Sequence, residues 1–214
     1  MKIIKFSTST SLPRAGAAER DSTRPLISVF GSSQALPESR LYKAAFRMGY
    51  LLGANGFDVM TGGYAGVMEA ASEGAHTAGA HVIGVTMSRF ESAVNEHVME
   101  EVHTQNFYER FGWLVDRANG YIAMHGGIGT LAEVAFVWQQ LLLGIGPARP
   151  LILVGLRWRK LIASFRQSLI RTPRIFAQFA LVDTPEDALR LMLKEAGPRR
   201  ASERVRDQSE QRPD

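Results

Sequence analysis

The 214-residue sequence contains no cysteine. Disulfides, thiolate nucleophiles and cysteine-built zinc sites are therefore excluded, and a reducing compartment, the cytoplasm, is the expected location. No apolar run approaches the roughly 18 residues a membrane helix needs. Lys2 and Lys5 flank only a few apolar residues before Ser/Thr-rich sequence, too little for a secretory signal. There is no G-K-S/T triplet and no G-x-G-x-x-G with a suitably spaced acid, which disfavours NTP hydrolysis and hydride transfer. Lysine is scarce: Lys2, Lys5, Lys43, Lys160 and Lys194 all lie outside the glycine turns, so pyridoxal-dependent decarboxylation has no lysine to carry it.

The formal charge is +4 and the pI about 9.6, with arginines spread over the second half and tail. That excess suits a protein that binds phosphorylated small molecules; nucleic-acid binding is the minor alternative. With 45% hydrophobic residues the chain can bury one large core.

The stretch H-G-G-I-G-T-L-A-E at residues 125–133 stands out. The apolar-rich residues 121–124 lead into three closely spaced glycines, and from Thr130 onward the pattern is helical. A strand, a glycine turn and a helix start aim free N–H groups and the positive end of a helix dipole at one point, where an anion belongs.

The same logic recurs along the chain. Residues 26–30 read as a buried strand ending at Gly31-Ser32-Ser33; residues 39–54 carry apolar positions at helical spacing and end at Asn55-Gly56. A second strand, 57–60, precedes T-G-G-Y-A-G at 61–66 and a small-residue helix; residues 81–85 form a third strand. Residues 86–102 read as a polar connection with Glu91, Glu96, Glu100 and Glu101, and 107–118 as a helix bearing Arg110. A fifth strand at 151–155, a helix around Leu161 to Ile170, a short strand at 179–182 and a helix capped by Thr184 complete the series. Alternation of this kind predicts one α/β domain with a doubly wound, mostly parallel, Rossmann-like sheet over 24–196, a disordered leader over 1–23 and a disordered tail over 197–214.

Thr130 and Glu133 have the spacing of a capping box, in which Glu133 would reach back to the Thr130 amide; alternatively the carboxylate stays free at the crevice to attend a sugar. Arg110, beside Phe107 and Tyr108, reads by itself as a solvated helix residue, and His125, Tyr64 and His81 as structural residues.

Taken together, these elements resemble the LOG family, the cytokinin riboside 5′-monophosphate phosphoribohydrolases. The family hallmark P-G-G-x-G-T-x-x-E is matched at 126–133, with His125 in the proline's place, and its upstream arginine at Glu109-Arg110-Phe111. The G-S-S turn, the G-G-x-x-G-[LV]-M turn ending at Met68, the G-x-x-V-I-G-V strand at 79–85 and W-x-Q-L at 138–141 also agree. The resemblance implies that Arg110 and Glu133 are a catalytic pair. It further implies that Gly31, Ser32, Ser33, Gly62, Gly63, Gly66, Met68, Gly126, Gly127, Gly129 and Thr130 cradle phosphate and nucleotide. The implied reaction is hydrolysis of the N-glycosidic bond of a purine nucleoside 5′-monophosphate, the cytokinin type being one candidate, to free base and ribose 5-phosphate, with no metal or organic cofactor. The family commonly forms homodimers, and Phe136 and Trp138 suit such an interface and a core equally well. A non-catalytic carrier of the same fold, like the molybdenum-cofactor carriers, is the alternative. The chain departs from the family pattern at Thr61, Glu69, Phe111, Asn119 and His125.

Overall fold

The structure is a computed structural model that describes residues 11–13, 20–89, 93–169 and 174–197. Most of the expected leader and nearly all of the expected tail, together with Glu91 and Ile170, lie outside those residues.

Eight strands form one sheet in the order β1-β5-β4-β3-β2-β6-β7-β8. They are β1 (Ser11–Pro13), β2 (Leu26–Phe30), β3 (Asp58–Thr61), β4 (Val82–Met87), β5 (Glu100–Thr104), β6 (Gly120–Ala123), β7 (Leu151–Val154) and β8 (Ala180–Val182). Every neighbouring pair is parallel except β1 with β5. The helices are α1 (Arg40–Ala54), α2 (Val67–Thr77), α3 (Phe107–Asp116), α4 (Ile128–Leu143), α5 (Leu156–Ser168) and α6 (Pro185–Ala196). The expected doubly wound α/β domain is what forms.

The inner strands read as continuous apolar runs because helices cover both faces. On one face Ile27 and Val29 meet Ala45, Met48 and Leu52 of α1, Ala71 and Ala75 of α2, and Met192 of α6. On the other, Leu26 and Phe30 meet Leu114 of α3, Val134 and Trp138 of α4, and Trp158 and Ile162 of α5. Alternate side chains of a single strand thus feed two cores. Trp138 belongs to the second core and not to an outer surface: its indole N–H donates to the Ile175 carbonyl at 2.5 Å, and Phe179 meets it edge-on at 4.9 Å.

Two expectations need correction. The connection at 86–102 holds a strand, β5, whose alternation is masked by charge: Val102 and Thr104 are buried, whereas Glu100 and Glu101 are partly exposed and His103 points outward. Glu100 pairs with His81 at 3.1 Å. Within the leader, Ser11–Pro13 adds an antiparallel edge strand to β5, and Arg20 reaches Asp58 at 3.0 Å. A proline fits there, since an edge strand has no further ladder to donate to.

The central order places β3 and β6 on either side of β2, so the chain reverses its winding direction between β2 and β6. The carboxyl ends of these two strands part to leave a crevice, the usual ligand site of such sheets. α2, which delivers one wall of it, lies close against α1: a Cβ on Gly74 would collide with the Phe46 carbonyl and come within 2.8 Å of the Tyr50 amide. Gly74→Ala is therefore expected to lower stability by about 1–3 kcal/mol, the usual cost of overpacking a rigid contact; urea unfolding followed by circular dichroism measures it.

Candidate active site

Three turns converge at the crevice, after β2, β3 and β6. The Ser32 amide donates to the His125 carbonyl at 3.2 Å, and the Ser32 carbonyl accepts from the Val67 amide at 2.8 Å, so the first turn is bonded to both others. Gly66 has φ of 74° and lies against the Ser32 and Ser33 backbone, a position that a side chain would block twice over. Gly126 packs on Thr130, with the Ser32 amide 2.9 Å from where its Cβ would be.

The turns enclose a cavity of about 740 Å³. Gly31, Ser32, Ser33, Gly62, Met68, Arg110, Gly127, Gly129, Thr130 and Glu133 all line it. Gly63, Gly66 and Gly126 stand behind this wall and shape it. The Gly63 carbonyl accepts from the Asn95 backbone at 2.8 Å and from its side-chain amide at 3.0 Å. Tyr64, read from sequence as structural, lines the cavity as well; its hydroxyl donates to the Met87 carbonyl at 3.2 Å and accepts from the Met87 amide at 2.8 Å. Nothing in the local sequence of Asn95 ties it to this turn, about thirty residues upstream.

The helix after the third turn starts at Ile128, two residues earlier than the periodicity predicts, with Gly127 as its N-cap and no side-chain cap. Thr130 is then in the first turn of α4, and the capping-box reading fails. Residues 127–130 line the cavity, and the amides that a helix's first turn leaves free, together with its dipole, favour an anion there.

Glu133, one turn further, points at Arg110 of α3, whose Nη1 donates to Glu133 Oε1 at 3.2 Å while its Nε donates to the Val85 carbonyl at 3.0 Å. Arg110 is buried, contrary to the solvated reading, because α3 lays it across the end of β4. Gly62 makes room for the guanidinium: any Cβ there would strike Arg110 Nη2. Burial raises the Glu133 pKa above the ordinary carboxylate value, and the charge and hydrogen bond of Arg110 oppose that rise without cancelling it. On the outer side the cavity has an aromatic wall, Phe107 and Phe111, with ring centroids 6.0 Å apart and Phe111 stacked on Phe136 at 5.4 Å.

The departures from the family pattern fall in different places. Asn119 lies at the opposite end of the sheet, where its side-chain oxygen accepts from the Leu26 amide at 2.8 Å. Thr61 lies beneath its turn, its hydroxyl 3.2 Å from that of Ser72 and accepting from the Gly63 amide at 3.1 Å. Glu69 is in the first turn of α2.

A family model described as the SLOG cluster4 family matches residues 24–158. The chain belongs to the SLOG cluster4 family. A cytokinin riboside 5′-monophosphate phosphoribohydrolase of Mycobacterium tuberculosis is 26% identical over 161 residues, 71% of this chain and 85% of that protein. One of Mycobacterium marinum is 33% identical over 108 residues, 49% of this chain and 58% of that protein. Among solved structures, the molybdenum cofactor binding protein of Rippkaea orientalis superposes with a TM-score of 0.66 at 27% identity, covering 81% of this chain and 98% of that one. The SLOG cluster4 match spans all three turns, Arg110 and Glu133, and stops short of α6.

Because burial favours the protonated form of Glu133, the folded state binds the proton more tightly than the unfolded chain, and stability falls as pH rises from the ordinary carboxylate value, about 4.3, through the raised one. Glu133→Gln, which carries no charge to bury and keeps an acceptor for Arg110, is expected to melt at or above the wild-type temperature at pH 7. The two should converge below about pH 4. Thermal melts across that range decide it, and a large loss in the variant at pH 7 would show that ionisation is net stabilising.

Proposed function

We propose that this protein is a nucleoside 5′-monophosphate phosphoribohydrolase that releases a purine base and ribose 5-phosphate. The observation that carries the reading is the buried pair of Arg110 and Glu133, set on the cavity wall beside the open N-terminus of α4. The similarity to the two mycobacterial phosphoribohydrolases supports it.

The 5′-phosphate sits on the amides of residues 127–130 and the hydroxyls of Ser32 and Ser33. The ribose then lies against Glu133, and the base extends toward Phe107 and Phe111, whose faces accept a flat heterocycle. As the C1′–N bond breaks, its electron pair leaves with the base, which takes up a proton. Positive charge grows on C1′ and the ring oxygen, and the Glu133 carboxylate stabilises it. Water adds to C1′ and gives up a proton, completing the hydrolysis. Arg110 offsets part of the burial that disfavours the carboxylate's charge and fixes its direction, so little reorganisation is needed when charge develops.

The homodimer implied by the family resemblance is part of the proposal, with exposed Phe136, Leu143 and Ile145 as the apolar surface available on α4 and just beyond it. So is the cytoplasmic location. A second reading, a non-catalytic carrier, is supported by the likeness to the Rippkaea orientalis protein.

Incubation with AMP and with N6-prenyl AMP is expected to release free base, followed by chromatography. Glu133→Gln should lower kcat by about 10²–10³, the usual loss when a preorganised electrostatic stabiliser is removed. Base release absent from every nucleotide at high enzyme concentration, together with a pterin ligand found by mass spectrometry of the purified protein, would replace the hydrolase reading with the carrier one.

A further inference from the structure

Asn95 is buried behind the wall of the cavity, in the segment between β4 and β5. Its backbone amide donates to the Gly63 carbonyl at 2.8 Å. Its side-chain nitrogen donates to that same carbonyl at 3.0 Å and to the Tyr64 carbonyl at 3.1 Å, while its Oδ1 accepts from the His97 amide at 3.2 Å. A backbone N–H only donates, so the His97 bond fixes which end of the carboxamide is oxygen and turns both hydrogens of the other end toward the 63–64 backbone. The segment is itself seated on β4: a Cβ on Gly84 would come within 2.8 Å of Val98.

The turn held in this way forms one side of the seat of Arg110, since Gly62 borders Arg110 Nη2 so closely that a Cβ would strike it. The other side is the Val85 carbonyl, which accepts from Arg110 Nε at 3.0 Å. Two residues beyond Val85, the Met87 amide and carbonyl are both bonded to the Tyr64 hydroxyl, at 2.8 and 3.2 Å. Asn95 thus fixes the backbone of the 62–64 turn, and Tyr64 pins that turn to the end of β4. Together they set the distance between the two boundaries of the guanidinium.

We propose that Asn95 and Tyr64 are positioning residues for the reaction, which hold the 62–64 turn and the end of β4 at the separation that keeps Arg110 directed at Glu133. This rests on the reading that Arg110 and Glu133 carry the hydrolysis. Arginine is a planar fork on a long, flexible stem, so its aim is set by the walls around it. A misplacement of about 1 Å by a change away from the reacting atoms can cost about 10²-fold in rate. In the same reading the phosphate rests on residues 127–130, after β6 on the other side of the crevice, so the clamp bears on the chemical step more than on substrate affinity. The competing account is that these hydrogen bonds only stabilise the fold.

The test compares Asn95→Ala and the isosteric Tyr64→Phe with Asn119→Ala, a control that removes a side-chain bond to backbone at the opposite end of the sheet. With AMP as substrate, Asn95→Ala is expected to lower kcat by about 10- to 100-fold with KM within about threefold, and Tyr64→Phe to lower kcat as well; the control should keep both constants. The second readout needs no turnover: the Glu133 carboxyl is titrated by carbon-13 NMR. Arg110 opposes the burial that raises the Glu133 pKa, so a guanidinium that has lost its aim leaves the midpoint higher in both clamp variants and unmoved in the control. An unchanged midpoint in the clamp variants, an equal shift in Asn119→Ala, or an unchanged kcat in an enzyme that cleaves AMP overturns the proposal. If Asn95→Ala does not fold, Tyr64→Phe decides alone. If AMP and N6-prenyl AMP are both left intact by the wild type, the hydrolase reading falls and the titration still decides whether the clamp positions Arg110.

Discussion

The two backbone hydrogen bonds of Ser32 hold the rest of the site in place. One runs to the turn after β6 and the other to the start of α2, so a single residue at the end of the central strand ties together the turns of both halves of the sheet. The approach is close enough to require glycine at 66 and 126. Their role is to let three stretches of backbone meet, which leaves Gly127 and Gly129 free to face the cavity. The switch of winding direction between β2 and β6 parts the strand ends, and the Ser32 bonds set how far the turns beyond them can separate.

On this frame the ion pair of Arg110 and Glu133 joins α3 to α4 across the end of β4. Both groups are buried, and burial outweighs the attraction enough to raise the Glu133 pKa. A fold selected only for stability would gain from an apolar pair of similar volume at these positions. Strain of this kind, kept beside a cavity and at the start of an uncapped helix, marks a candidate functional site. The missing side-chain cap on α4 belongs to the same pattern, since a serine or aspartate at position 127 would bond the first-turn amides that Gly127 leaves without a side-chain partner.

The inner strands and all six helices were legible because continuous apolar runs and helical spacing leave few alternatives. β5 was not, because its buried residues alternate with Glu101 and His103, and charge on one face of a near-edge strand resembles a loop. The start of α4 was misplaced for a related reason: Thr130 has the chemistry of a cap, whereas Gly127 performs the role with its backbone alone. Arg110 shows the limit of local reading most clearly. Its neighbours on α3 give no sign that its partners are the Val85 carbonyl and a carboxylate 23 residues away, and only the family resemblance singled it out.

The same distinction sorts the positions at which the chain leaves the family pattern. Asn119 still binds the β2 backbone at the far end of the sheet, a role open to any side-chain oxygen, so its change carries no consequence for the cavity. Thr61 spends its hydroxyl on Ser72 and on the turn's own amide. Phe111 and His125 are different, because each presents a side chain to a cavity wall. Phe111 puts a ring where the family has a cation, and with Phe107 and Phe136 it forms a stacked apolar wall at the outer end of the first cavity. His125 puts an aromatic nitrogen where the family has a closed pyrrolidine ring, in a second cavity beside Arg157 and Lys160, which have no carboxylate partners among the described residues. One change therefore puts an apolar ring at the outer end of the first cavity, and the other brings a polar ring to the 126–128 turn. Both alter cavity walls and leave the pair of Arg110 and Glu133 untouched.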